Sequence, residues 1–306
     1  MTRLHWCGED VATIDTTLAL LPGVLPVFDR QPFGRNRLRD LIVRPSIVGA
    51  DPVPVGVVSK HYVLVQHADA IKAVTAQIEE SGIDPENVPV RLLISEYGTR
   101  MAVRATLPEQ HSVLPDDGLR MALTFECFNS VDGSVPLFAA VGWFRFVCSN
   151  GLVVGTATAR VRQKHSPPLN IDQISDVLAE GVIAATDDGA TFASWRARKV
   201  TPDELMKWVD GPVADAWGPL AAARVYGIAA TGNDGRPIPP RRKAPPHAWI
   251  LSDGETVPGT HAPCGDAYEI AQVLAWIAAS RGNIAQRLDW RAQIRPLMSW
   301  LTPTRS

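Results

Sequence analysis

The sequence predicts an α+β fold, an antiparallel sheet of about five strands packed on C-terminal helices, and three observations carry that expectation. Asp132-Gly133 and Asn150-Gly151 each lie between apolar, β-rich runs, the pattern of a two-residue hairpin turn whose central residues take positive φ. Beyond Asn170 the apolar spacing changes from the two-residue period of strands to the helical one. The 306 residues are 46% hydrophobic and 20% charged, enough apolar material to cover a sheet of this size.

Residues 1–60 are rich in Pro and Gly, carry Arg30, Arg35, Arg37, Arg39 and Arg44, and hold no sustained period, so they read as an irregular N-terminal wrapping segment. Residues 61–165 form the β region with one helix. Within it, 61–66 read as a strand and 68–81 as a helix with Ile71, Val74 and Ile78 on one face and Gly82 as its stop. The strands follow at 90–94, 99–106, 119–128, 137–148 and 152–162. Residues 166–306 are mainly helical and are expected to share one domain with the sheet. Their helices fall at 171–185, at 201–210, where Thr201, Pro202 and Glu204 form a capping signature, and around 213–226. A Pro/Arg-rich loop over 227–246 reads as a linker of polyproline character, and helices at 266–280 and 284–295 end the chain. Arg287, Arg291 and Arg295 recur at every fourth position of the last helix, the spacing of a solvated basic stripe.

Two-residue turns at both hairpin sites fix a register. They set Thr124 against Val141, Ala122 against Trp143, Arg120 against Arg145, Val141 against Arg160 and Ala139 against Arg162, and directly opposed residues share a face. One face is then almost wholly apolar. The other collects Arg120, Glu126, Trp143, Arg145, Arg160, Arg162 and Lys164, joined by Arg100 and Arg104 from the preceding strand. Arg and Lys tracking phosphates beside an aromatic ring that stacks on a base is the arrangement that binds single-stranded nucleic acid without sequence preference. A solvated sheet face studded with arginines is the plainer alternative.

Residues 126–134, Glu-Cys-Phe-Asn-Ser-Val-Asp-Gly-Ser, followed by 144–152, Phe-Arg-Phe-Val-Cys-Ser-Asn-Gly-Leu, resemble the signature of the phage/plasmid-like protein family, domain of unknown function 932. Gly265-Asp-Ala-Tyr-Glu269 and Val273-Leu-Ala-Trp276 resemble that family's C-terminal helix, with Asp266 where the family has Asn. The resemblance implies a phage, prophage or plasmid setting and marks Asn129, Asp132, Gly133, Ser134, Arg145, Cys148, Asn150 and Gly151 as signature positions. Gly and Asx residues among them are what hairpin turns demand; Arg145 stands out as a charge in a long apolar strand.

Other chemistry finds little footing. The chain has no G-x-G-x-x-G, G-x-x-x-x-G-K-[ST], H-E-x-x-H or G-x-S-x-G, so no catalytic residue and no cofactor is assigned. His261 and Cys264 lack the companions of a zinc-deaminase site, so no metal is expected. Four scattered cysteines without C-x-x-C point to reduced thiols, with Cys127 and Cys148 as small buried hydrophobes. No apolar run is long enough for a membrane span, so a cytoplasmic protein is expected. Lys+Arg 30 against Asp+Glu 32 excludes a globally basic coat. The expected function is non-enzymatic single-stranded DNA binding by a mobile element, in recombination or annealing. The alternatives are an anti-defence or plasmid-maintenance factor that binds a host protein, and an enzyme with a site near Asn129, Ser134 and Arg145. A homo-oligomer fits either binding role.

Overall fold

Strands come first and helices after them in the computed structural model, which describes residues 5–6, 9–45, 51–108, 112–113, 121–146, 153–257, 260–282 and 284–302. The chain divides into two compact units, Met1–Trp143 with Thr158–Ala185, and Phe144–Ala157 with Thr186–Ser306. The first unit opens with β1 (His5–Trp6), β2 (Glu9–Thr17), α1 (Leu21–Val24), β3 (Asp29–Pro32), β4 (Arg39–Arg44), β5 (Val53–Ser59) and α2 (His67–Glu80). Its remaining strands are β6 (Pro89–Ser95), β7 (Arg100–Thr106), β8 (Ser112–Val113), β9 (Met121–Ser130), β10 (Leu137–Phe146) and β11 (Val153–Gln163). The main sheet has eight strands in the order β1-β2-β6-β7-β9-β10-β11, with β8 beside β9. The five strands expected from the sequence are β6, β7, β9, β10 and β11, consecutive in that order.

The irregular reading of residues 1–60 is corrected. β2 pairs antiparallel with β6 from Val11↔Ser95 to Thr17↔Pro89, and β3, β4 and β5 form a separate three-stranded sheet. All four residues of β3 are exposed, so no period of two marks it, and Pro32 and Pro54 lie in the outer strands, where a missing N–H is tolerated. Residues 61–66 form a turn and an irregular lead-in to α2 rather than a strand. Phe28, Ile42, Val58, Tyr62 and Val131 make the core beneath the small sheet.

Helix α2 buries His67, Ala70, Ile71, Val74 and Ile78 and packs on β9, on the face that carries Asn129. Helix α3 (Gln173–Ala197) starts beside it, where Ser175 Oγ donates to Ala73 O at 3.0 Å. A Cβ at Gly181 of α3 would lie 2.5 Å from Val141 Cβ, so the absent side chain lets this helix approach β10.

That contact overturns the derived register of β10. Strands β9 and β10 are joined by residues 131–136, not by a two-residue turn. Ser130 closes the loop: its Oγ donates to Val135 O at 2.8 Å and accepts the Val135 N–H at 3.1 Å. The two-residue register put Val141 opposite Thr124, away from Asn129, yet Val141 meets the helix layer. It also put Phe128 and Phe138 on opposite faces, yet their rings meet edge to face at 6.1 Å. A slip of one residue exchanges both faces of a strand. Trp143, two residues beyond Val141, is therefore on the helix-covered side and only 3% exposed. It is a core residue and not a stacking platform.

In the second unit, α4 (Pro202–Trp208) has the capping box expected of Thr201 and Glu204, with both reciprocal hydrogen bonds formed. A π-turn at Val209–Val213 leads to α5 (Ala214–Trp217) and α6 (Pro219–Thr231). Two short ribbons follow, β12 (Asn233–Asp234) with β15 (Glu255–Thr256) and β13 (Pro237–Ile238) with β14 (Ile250–Leu251). Helices α7 (Ala267–Ala279) and α8 (Ile284–Leu301) pack on one another, α7 buried on nearly every residue. The ring of Trp217 stacks on that of Trp290 at 4.5 Å. The arginine stripe of α8 is not a solvated face: Arg291 is buried, Arg295 pairs with Asp188 at 2.5 Å, and Arg287 donates to Arg281 O.

Candidate nucleic-acid interface

Among the described residues the cations of the main sheet fall into two groups. Asp15, Arg91, Arg104 and Glu126 stand directly opposite one another across β2, β6, β7 and β9. Neighbouring Arg91 and Arg104 would repel, but each turns to the acid on its other side. Arg91 Nε donates to Asp15 Oδ1 at 2.9 Å, and Arg104 Nη2 and Nε donate to Glu126 Oε1 at 2.6 and 2.9 Å. The hydrogen bond to Asp15 raises the Arg91 pKa above its ordinary value. Arg100 is buried, donating to Asp132 Oδ2 at 2.6 Å and to Ser134 Oγ at 2.7 Å. Arg100 and Arg104 are thus committed to carboxylates within the fold, and Arg91 to Asp15 at its surface.

Arg160 and Arg162 on β11, and Lys164 just past its end, are exposed, while Val161 and Gln163 between them are partly buried. Among the described residues no carboxylate pairs with any of the three. β11 is the last strand in the sheet order, and among the described residues no strand pairs with its outer edge. Successive cations two residues apart on a strand repeat at about 6.6 Å along a line. Of the expected nucleic-acid contacts, Arg160, Arg162 and Lys164 thus lie together, and Trp143 does not join them. Arg120 lies outside the described residues, and the side chain of Arg145 is likewise outside them, so their expected opposition is not part of the described site.

The signature positions mark a different place. Asn129 Nδ2 donates to Val65 O and to His67 Nδ1, both at 2.9 Å. Because His67 Nε2 lies 2.8 Å from Gly98 O, the proton belongs on Nε2, which leaves Nδ1 to accept. The ring is wholly buried, and burial lowers its pKa to about 4, so it is neutral at physiological pH. His165 stacks on Tyr62 at 5.0 Å and donates from Nδ1 to Val63 O at 3.1 Å; burial lowers its pKa as well. Tyr62 donates to Ser130 O at 2.9 Å, and burial, reinforced by the Asp132 charge, pushes its pKa up. Asp132 accepts from Arg100 and from the Ser134 N–H, and a Cβ at Gly133, where φ is +75°, would touch the Tyr62 ring at 3.3 Å. Asn129 and the Tyr62–Ser130 hydrogen bond thus tie the end of β9 to the segment leading into α2, while Asp132 and Ser134 tie the β9–β10 loop to Arg100 of β7. Ser130 Oγ is held on both sides by Val135, and Ser134 Oγ accepts from Arg100 Nε at 2.7 Å. Cys148, Asn150 and Gly151 lie outside the described residues.

Tyr62, His67, Arg100 and His165 escaped the sequence reading as members of this cluster. Their partners stand tens of residues away, so no local spacing signals them. Cys127 is buried as expected, and burial raises its thiol pKa to about 12. Among the described residues no group of three or more His, Cys, Asp or Glu is placed to hold a metal ion, and no helix is long and apolar enough to cross a membrane.

Neither a curated protein nor a solved structure matches the chain. A family model matches residues 54–224, which take in α2, the strands from β6 to β11, the Asn129–Ser134 signature and the three edge cations, whereas Gly265–Glu269 lies beyond the match. That span is more than half of the 306 residues, and the chain belongs to the family described as Domain of unknown function (DUF932).

Proposed function

We propose that the protein binds single-stranded nucleic acid without catalysis, along the open edge of the main sheet, in the biology of a phage, prophage or plasmid. The observation that carries this reading is the contrast in pairing: Arg91, Arg100 and Arg104 each hold a carboxylate, whereas Arg160, Arg162 and Lys164 hold none among the described residues. Three cations in a line at strand spacing suit the regularly repeated phosphates of an extended strand. With Trp143 buried, the interaction is electrostatic and indifferent to sequence. Annealing or recombination of single strands is the use such a surface suits best.

The test is a fluorescence titration of a labelled oligothymidylate over a range of salt. Three phosphate contacts give a log–log salt slope of about −2, at roughly −0.7 per contact. Changing Arg160, Arg162 and Lys164 together to Gln removes that slope and the binding. Equal affinity of the variant and the parent overturns the reading and leaves the cations as protection against edge-to-edge pairing.

A second reading, docking on a host protein, is favoured by Leu20, Val24 and Val27, which are 66%, 47% and 62% exposed around α1. Salt-insensitive association with a protein, lost on changing these three to Ser, supports that reading instead.

A further inference from the structure

The Pro/Arg-rich stretch is not a slack linker. Its start is fixed where Pro237 and Ile238 pair with Leu251 and Ile250, and where Arg236 exchanges hydrogen bonds with Ser252, N to Oγ and O from N, each at 3.0 Å. Its end is fixed by Trp249 Nε1, which donates to Ala244 O at 3.1 Å, and by His247, whose N–H and Nδ1 both donate to Asp210 on the π-turn, at 3.0 and 2.5 Å. Pro246 is buried beneath that end. Between the clamps, residues 239–243, Pro-Pro-Arg-Arg-Lys, are exposed throughout.

Proline fixes φ near −65°, and a residue before proline is driven to extended ψ, so Ile238, Pro239, Ala244 and Pro245 favour the polyproline II conformation. Pro245, at φ −65° and ψ 153°, adopts it. Ile238 and Ile250, paired across the ribbon, are 51% and 72% exposed at the foot of the loop. Arg241, Arg242 and Lys243 meet no carboxylate among the described residues. Proline ridges, an apolar foot and an unneutralised basic tip are therefore presented together on a segment already ordered, which lowers the entropy cost of binding.

We propose that the loop 236–246 is a docking ligand for a partner protein with a polyproline groove lined by aromatic rings and rimmed by carboxylates. Rings take the proline ridges, and carboxylates take Arg241, Arg242 and Lys243. A phosphate backbone uses the three cations but has no use for the prolines or for the isoleucine pair, and that difference favours the protein partner.

The experiment titrates the full chain with isolated SH3, WW and EVH1 domains, the ring-lined polyproline grooves, and in parallel with a labelled oligothymidylate. At least one domain is expected to bind saturably. Changing Pro239 and Pro240 together to Gly, or Arg241 and Arg242 together to Glu, weakens that binding at least tenfold while the thermal midpoint stays unchanged. Binding by no domain, or equal binding by parent and variants, overturns the proposal. So does a loss of oligothymidylate affinity in the Glu variant with no domain bound, which makes the loop a phosphate contact. Failure of the edge-strand variant to alter oligothymidylate binding leaves the proposal untouched, since β11 takes no part in it.

Discussion

Arg104 and Arg162 belong to one sheet, and their situations are opposite. Arg104 sits between Arg91 and Glu126, with the carboxylate at 2.6 Å and almost fully buried. Arg162 stands on the last strand with no acid across from it among the described residues. Alternation along a strand tells which face a cation occupies. Whether it is available to a ligand depends on the next strand, and here that strand's acid comes from 76 residues away for Arg91 and 22 for Arg104.

The largest effect expected from this contrast is at Glu126. Changing it to Ala removes the carboxylate that Arg104 holds at 2.6 Å in a mostly buried position and costs about 3 kcal/mol of stability by chemical denaturation. A loss under about 1 kcal/mol makes Arg104 as well solvated as the edge cations and erases the distinction. Next is the acid response of the buried cluster. The folded pKa of His67, about 4, lies below the ordinary 6.5, so the unfolded chain takes up the proton first. This stabilisation is complete above pH 6.5 and is lost as pH falls towards 4, about 2.5 kcal/mol between about pH 7.5 and about 4.5. His165, shifted in the same direction, adds to it. His67→Gln reduces the pH dependence by that amount, whereas a slope identical to the parent's sinks the assignment.

Asn129→Ala removes the donor to both His67 Nδ1 and Val65 O inside the core and costs about 2 kcal/mol, seen as a lowered denaturant midpoint. An unchanged midpoint means the cluster is not what joins β9 to the segment before α2. The smallest effect on stability belongs to the edge: the triple Gln change at Arg160, Arg162 and Lys164 shifts stability by less than about 0.5 kcal/mol per site. A larger loss shows that these cations have structural partners.

What the sequence revealed follows the range of the interactions. The Thr201–Glu204 capping box is complete within four residues and was legible in full. Gly133 was legible too, as a positive φ beside Asp132. The length of its loop was not, because Ser130 Oγ replaces a backbone partner for Val135 and carries the chain past a two-residue turn. That one side chain misplaced Trp143. In the first sixty residues β2 escaped because its partner β6 lies some eighty residues on, and β3 because all four of its exposed positions show no alternation. Asn129, Asp132 and Ser134 were recognisable as a motif, but their role rests on Tyr62, His67, Arg100 and His165, which only the fold brings near.

The Nε2 proton of His67 also makes the cluster a timepiece. Held on a carbonyl at 2.8 Å inside a ring with no exposed surface, it exchanges with solvent only when the segment before α2 lifts from β9. Its lifetime in deuterated water therefore records how often this end of the sheet breathes, from a single imidazole resonance.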